Sequence, residues 1–413
     1  MSNEPRAARR RILFFAEAGT LSHVTRPLQL ARALPPEEYE VHFACHPRFD
    51  DLISPVPGTR HHLDSISSER FMRAAKLGTP MFGVRTLRRY VREDLALIHE
   101  VRPELVVGDL RQSLSISCPL AGVPLVNLVD AYHSPYARIS WELAEHPFVG
   151  LVSDGVAQRM FSLFFPFNAS LHTVPLNVAR LSFRQGVAGF RLHREFVYGD
   201  WNLYCDLPEL VPMDPLPHNH RFIGPVHWSP TVEPPAWWNR VPDDRPVVYL
   251  GLGSSGPSDV LGTVLEALAS MPVYVLLAGG AGTREAGWPG NVFAAPYLPG
   301  DEACARARVV ICNGGSTAGQ QSLAAGRPFL GVATNIDQVM FTRLAERTGA
   351  ARLLKAHNVT RNAVRGAVSA LLNDPAPAAA AARLADSLAG WDAAENFRQL
   401  VGSLCGTRAM QAA

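Results

Sequence analysis

Residues 309 to 338 read VVICNGGSTAGQQSLAAGRPFLGVATNIDQ. The opening Val309-Val310-Ile311-Cys312 is the uninterrupted apolar run of a parallel strand buried on both faces. It passes directly into Asn313-Gly314-Gly315-Ser316-Thr317, a glycine pair with hydroxyls, and then into a helical stretch from Gln320 to Ala325. Phe329-Leu330-Gly331-Val332 forms a second buried strand, with Asp337-Gln338 at the start of the next helix. Strand, glycine turn, helix and strand in that order specify an α/β architecture. Glycines let backbone approach a ligand closely, and a helix N-terminus offers unpaired N–H groups and a positive dipole end to a phosphate. The same residues also fit a plain tight turn with Ser316 or Thr317 as N-cap.

The alternation extends upstream. Val247 to Leu250 is a strand that ends in Gly251-Leu252-Gly253-Ser254-Ser255-Gly256, a second loop of amides and hydroxyls, and is followed by a helix around Val260 to Leu268 and a strand from Val273 to Leu277. Asp337 and Gln338 can accept from and donate to sugar hydroxyls, although Asp337 also fits as an acid complementing a helix dipole. All three groups fall at carboxyl ends of strands, where open α/β sheets bind ligands.

A similar pattern fills the first part of the chain. Ile12 to Ala16, Val41 to Cys45, Leu105 to Asp109 and Val123 to Val129 read as strands, Pro27 to Leu34 as a helix, and Val84, Leu87, Val91, Leu95 and Ile98 share one helix face. Between the halves, Asp206 to Pro246 holds ten prolines, which interrupt helices and sheets alike and place a linker near residues 208–222. The expected organisation is a first domain over 1–215, a second over 216–385, and a helical segment over 386–413 packing on either half. Residues 131 to about 200 are aromatic-rich and weakly periodic, with Tyr132, His133, Trp141, Phe161 and Phe165 among them. They fit either ordinary core or the lining of a pocket for a flat apolar ligand.

Composition narrows the class. With 413 residues, 47% hydrophobic and 18% charged, the chain can bury enough surface to offset its entropy, which excludes wholesale disorder. Lys and Arg number 39 against 37 Asp and Glu, so nucleic acid is not an expected partner and any phosphate site is local. Six cysteines without a C-x-x-C pair indicate neither a disulfide scaffold nor a zinc ribbon and fit a reducing cytoplasm. Five apolar residues before Glu17 are too few for the roughly 7–15 of a signal-peptide core, and no uncharged stretch that is apolar throughout reaches the roughly 18 residues of a membrane span. With no D-x-D and no metal-ligand spacing, neither metal nor cofactor is expected.

The run from Asn313 to Gln338 resembles, without a gap, the signature of the family 1 nucleotide-sugar-dependent glycosyltransferases, H-G-G-x-G-T-x-x-E-A-L-x-x-G-x-P followed by D-Q. Asn291 to Pro299, NVFAAPYLP, is similar to the family's segment bordering the nucleotide base, which brings in Tyr297 and Leu298. The resemblance implies a GT-B fold, two Rossmann-like doubly wound domains facing across a cleft. It implies His23, in GTLSHVTRP, as general base and Asp109 as the carboxylate orienting it. The His23 to Pro27 spacing is one residue longer than the common H-V-x-P form. Without the resemblance, His23 would read as a packing or helix-start histidine and Asp109 as a capping acid.

This chain also departs from the signature. Asn313 replaces the histidine beside the diphosphate, Gln321 replaces the ribose-binding glutamate, and Thr317-Ala318 replaces the G-T pair. The amides still hydrogen-bond, but the cationic contribution is lost, with Arg26 or Arg327 as possible replacements. Loss of the ribose-reading carboxylate is compatible with a dTDP-sugar as well as a UDP-sugar. The resulting expectation is an inverting transferase that moves a sugar from a nucleotide diphosphate to a hydroxyl of a small, largely apolar natural product. Its donor residues are Gly253, Ser254, Ser255, Tyr297, Leu298, Asn313, Gly314, Gly315, Ser316, Thr317, Gln321, Asp337 and Gln338, its acceptor residues the five aromatics named above, and it is a monomer or homodimer. The alternatives are a nucleotide-sugar epimerase or hydrolase on the same cleft, and a degenerate auxiliary protein.

Overall fold

The structure, a computed structural model, describes residues 9–144, 153–253, 258–279 and 289–412. Among these residues the first half is a parallel sheet of seven strands, β1 (Arg10–Ala16), β2 (Tyr39–Cys45), β3 (Thr59–His62), β4 (Leu105–Asp109), β5 (Leu125–Val129), β6 (Trp201–Tyr204) and β7 (His220–Phe222), in the order β3-β2-β1-β4-β5-β6-β7. Its helices are α1 (Ser22–Arg32), α2 (Asp50–Ile53), α3 (Ser68–Leu77), α4 (Val84–Val101), α5 (Leu114–Ala121), α6 (Asp154–His172) and α7 (Val174–Ser182). The second half has six parallel strands, β8 (Val247–Gly251), β9 (Tyr274–Ala278), β10 (Val292–Ala295), β11 (Val309–Cys312), β12 (Phe329–Ala333) and β13 (Ala351–Lys355), in the order β10-β9-β8-β11-β12-β13. Around it lie α8 (Leu261–Ala269), α9 (Gly300–Arg306), α10 (Ser316–Ala324), α11 (Ile336–Arg347), α12 (Arg361–Asn373) and α13 (Pro375–Ala389), and α14 (Ala393–Ala412) ends the chain.

The strand order explains where a ligand can sit. In each sheet the winding direction reverses once, between β1 and β4 in the first and between β8 and β11 in the second. At such a switch point the loops leaving adjacent strands diverge to opposite faces and open a crevice beyond the carboxyl ends. The register pairs Ala16 with Asp109 at the first switch and Gly251 with Cys312 at the second. The glycine loops after β8 and β11 are therefore neighbours, as are Asp109 and the loop leading to His23.

The two halves share a core. Val129, Tyr132, Tyr204 and Leu207 of the first pack in one buried cluster with Val310, Leu323, Phe329 and Phe341 of the second. After α13 the chain crosses back, and Phe397, Leu400 and Val401 of α14 join the core around Phe14 and Leu28, with Phe397 and Phe14 ring centroids 6.1 Å apart.

Two elements differ from the sequence reading. β7 lies beyond the expected boundary at 215 and inside the expected linker, because His220–Phe222 finds a partner edge on β6 despite the surrounding prolines. His23 lies in the first turn of α1 rather than in the loop before it, and Pro27 is inside the helix. Pro27 has no N–H to offer the carbonyl four residues earlier, which is that of His23, so the first turn proceeds without that bond.

Candidate active site

On the first half, His23 Nδ1 lies 2.7 Å from Asp109 Oδ1. Asp109 is buried and accepts from Arg26 as well, at 2.8 Å from Nε to Oδ2 and 3.0 Å from Nη2 to Oδ1. Arg26 Nη1 donates to Asp130 Oδ1 at 2.8 Å. Burial alone would raise the Asp109 pKa, but the charges of Arg26 and His23 outweigh it and hold the carboxylate below its usual range. An ionised carboxylate only accepts, so Nδ1 of His23 carries the proton in this contact, and Nε2 is left as the nitrogen able to take another.

On the second half, the turn between β11 and α10 is held by its own side chains. Gly314 has φ 77°, a left-handed conformation, and a Cβ there would overlap Thr342 Oγ1 of α11. Asn313 Oδ1 accepts from the Gly315 backbone N–H at 2.9 Å, closing a turn that presents the N-terminus of α10. The asparagine in place of the family's histidine thus has a structural task. Gln321 Nε2 donates to Asp301 Oδ1 at 2.8 Å, so a carboxylate stands beside the position where the family carries glutamate. Asn335 caps α11 through Gln338 N, and Gln338 Oε1 accepts from Thr334 N at 2.8 Å, which fixes the start of that helix.

Both faces open into one cavity of about 840 Å³. Its walls include His23, Asp109, Tyr132, His133 and Phe196 from the first half, and Gly253, Tyr297, Leu298, Asn313, Gly315, Ser316, Thr317, Gln321, Asp337 and Gln338 from the second. Polar bridges join the halves beside it. His133 Nε2 meets Asp337 Oδ1 at 3.1 Å, and Gln320 Nε2 donates to Asp206 Oδ1 at 2.8 Å. Asp206 is fully buried, and burial and the neighbouring Asp130 push its pKa up.

The expected acceptor aromatics divide. Tyr132 and His133 line the cavity, and His133 stacks on Phe196 with centroids 3.8 Å apart. Trp141, Phe161 and Phe165 stand behind that wall as a row of tilted rings, with Trp141 to Phe165 at 5.6 Å and Phe161 to Phe165 at 4.9 Å. Gly314 shapes the loop from beneath. Ser254 and Ser255 lie outside the described residues. Arg327 donates to the Ala305 carbonyl and is not on the cavity wall, whereas Arg26 is on the wall but shared between two carboxylates.

The sequence reading missed the structural roles of Arg26, Asp130, Asp206 and Gln320. Arg26 follows His23 by three residues, the spacing that puts two side chains on one helix face, and starting the helix at Ser22 would have revealed it. The Asp206–Gln320 bridge spans 114 residues and has no local signal.

Two Rossmann-like sheets whose switch points open onto one cleft make the GT-B fold, and this chain has it. No protein-family model matches it. It is 44% identical over 384 residues to the PGL/p-HBAD biosynthesis glycosyltransferase of Mycobacterium tuberculosis (strain ATCC 25177 / H37Ra), covering 93% of this chain and 90% of that one. It is 45% identical over 381 residues to the PGL/p-HBAD biosynthesis rhamnosyltransferase of Mycobacterium bovis (strain BCG / Pasteur 1173P2), covering 92% and 85%. Among solved structures, the spinosyn rhamnosyltransferase SpnG complexed with thymidine diphosphate matches with a TM-score of 0.68 at 18% identity, over 95% of this chain and 100% of that one, a likeness of fold. The chain belongs to the family of the PGL/p-HBAD biosynthesis glycosyltransferases.

Proposed function

We propose that the protein transfers a sugar from a nucleotide diphosphate sugar to a hydroxyl of a largely apolar acceptor, with inversion at the anomeric carbon. The observation that carries this reading is the single cavity with an Asp109-bound imidazole on one wall and a helix N-terminus behind a glycine turn on the other. The acceptor enters along Tyr132, His133 and Phe196. Nε2 of His23 removes its proton as the oxygen attacks, and Asp109 stabilises the imidazolium that forms. The diphosphate leaves toward the amides of Gly315 to Thr317, where N–H dipoles offset the charge that develops on it. Tyr297, half-exposed on the cavity wall, offers its ring to the base.

A rhamnosyltransferase among the relatives and the thymidine diphosphate in a neighbour of the same fold favour a dTDP-linked deoxysugar over a UDP-sugar. The reaction needs two substrates held in line, a task for which a cleft between two halves is suited. It is tested by incubating the protein with dTDP- and UDP-sugars, alone and with an apolar phenol or alcohol, and following products by mass spectrometry and NMR. The expected result is a glycoside of inverted anomeric configuration that requires both substrates. Free sugar or an epimerised donor formed equally without acceptor would replace transfer by the hydrolase or epimerase reading.

A further inference from the structure

The first half carries an apolar surface that the cavity does not use. Of fourteen large hydrophobic side chains exposed among the described residues, eleven lie between Val156 and Phe190, on α6, α7 and the loop that follows. Single exposed apolar residues are ordinary, but this clustering is not. On α6, Met160, Leu163, Phe164 and Phe167 recur at helical spacing and point outward, Leu163 at 74% and Phe167 at 67% exposure. Leu181 on α7 and Phe190 beyond it extend the same surface.

Its charge is one-sided. From Asp154, the first residue of α6, to Arg194 the segment contains five arginines against a single acid, Asp154, in a chain whose whole balance is only +2, so the remainder is net acidic. Arg159, Arg184, Arg191 and Arg194 are exposed. A two-fold contact with a second copy through this surface would bring five arginines from each copy together against one carboxylate of the segment, Asp154. Exposed apolar side chains and exposed arginines on one segment instead complement a bilayer whose surface is anionic and whose interior is hydrocarbon. No helix among the described residues is long and apolar enough to cross a membrane, so the surface lies on a bilayer rather than through it.

We propose that the outward face of α6 and α7 docks the enzyme on an anionic lipid bilayer, with Leu163, Phe164 and Phe167 sunk to the acyl boundary and the arginines among the headgroups. The inner face of α6 continues this surface to the cavity. Phe161 packs on Phe165 and Phe165 on Trp141, which lies 5.7 Å from the His133 ring on the cavity wall. Docking therefore places the acceptor wall beside the lipid, although it holds whatever acceptor the cavity takes.

The test is sedimentation of the full chain with vesicles of phosphatidylcholine alone and of phosphatidylcholine with phosphatidylglycerol. The wild type is expected to partition onto the anionic vesicles, less so at high salt. The triple variant Leu163→Ser, Phe164→Ser, Phe167→Ser should bind them more than about tenfold more weakly with an unchanged thermal midpoint, since the three side chains are already exposed. Equal partitioning of variant and wild type would overturn the proposal. So would a wild type that ignores both vesicles but elutes as a dimer that the triple variant breaks, because the surface would then be a self-association face.

Discussion

Replacing His23 by alanine is expected to lower turnover by about 10²–10⁴, the range for a lost general base, while the KM for the donor changes little. The selectivity follows from the geometry. His23 comes from α1 of the first half, and the glycine turn and α10, the proposed diphosphate site, come from the second, so the substitution leaves that site intact. It also leaves Asp109 paired with Arg26, which keeps that carboxylate compensated and the fold sound. The loss should shrink as the acceptor hydroxyl becomes more acidic, because a group that already gives up its proton needs the imidazole less. Asp109→Asn should combine a fall in turnover with a loss of stability, since Arg26 keeps only Asp130 as a charged partner. If His23→Ala retained full turnover with an ordinary alcohol, the base would have to be sought elsewhere.

Arg111→Met is expected to produce the largest loss of stability of any single substitution considered, about 3–5 kcal/mol, the cost of stranding buried charge. Arg111, Glu17 and Asp94 are all fully buried. Arg111 donates to Glu17 Oε2 at 3.0 Å, Asp94 Oδ1 at 3.0 Å and Glu93 Oε2 at 2.7 Å, and its guanidinium carbon lies 3.5 Å from the Tyr90 ring centroid. Methionine fills much of the volume but leaves those carboxylates facing one another. Burial raises the Glu17 pKa even in the presence of Arg111. A carboxyl that holds its proton more tightly folded than unfolded weakens the fold as pH rises from its unfolded to its folded value. Removing Arg111 lifts the folded value further, so the deficit against wild type should be greater at pH 8 than at pH 5, and Glu17→Gln should restore part of it. Urea unfolding at the two pH values measures this. A deficit below about 1 kcal/mol at pH 8 would show that the cluster does not depend on its cation.

The cluster bears on the site as well as on stability. Glu17 directly follows β1, and its N–H donates to the Asp109 carbonyl at 3.3 Å. Leu110, between Asp109 and Arg111, has φ 55°, a conformation that a bulky side chain avoids unless its surroundings impose it. Arg111 supplies an anchor on one side of that residue, and the Asp109–Arg26 pair supplies one on the other.

How much of this was legible in the sequence depends on the reach of each interaction. The strands Ile12 to Ala16 and Val309 to Cys312 declared themselves because strands buried on both faces need only apolar residues in succession. The glycine turn did so because Gly314 answers a local backbone demand. The helices α6 and α7 did not, since apolar residues on their outer as well as their inner faces flatten the period by which an amphipathic helix is recognised. β7 was hidden because its three residues form a strand only beside β6. The aromatics from Tyr132 to Phe165 were visible as a group, but which of them face the cavity is decided by the packing of α6 against the segment at Trp141. The bridges from Gln320 to Asp206 and from Asp337 to His133 join residues whose nearness exists only once two independent sheets have met.

The proposed transfer requires a cleft that holds donor and base on opposite walls with a bound alcohol between them. A crystal structure with thymidine diphosphate and an unreacted acceptor tests it most directly. Phosphate oxygens are expected within hydrogen-bond distance of the Gly315 to Thr317 amides, and the acceptor hydroxyl about 2.6–3.2 Å from His23 Nε2. A diphosphate bound away from the start of α10, or an acceptor hydroxyl turned from His23 with another base against it, would contradict it.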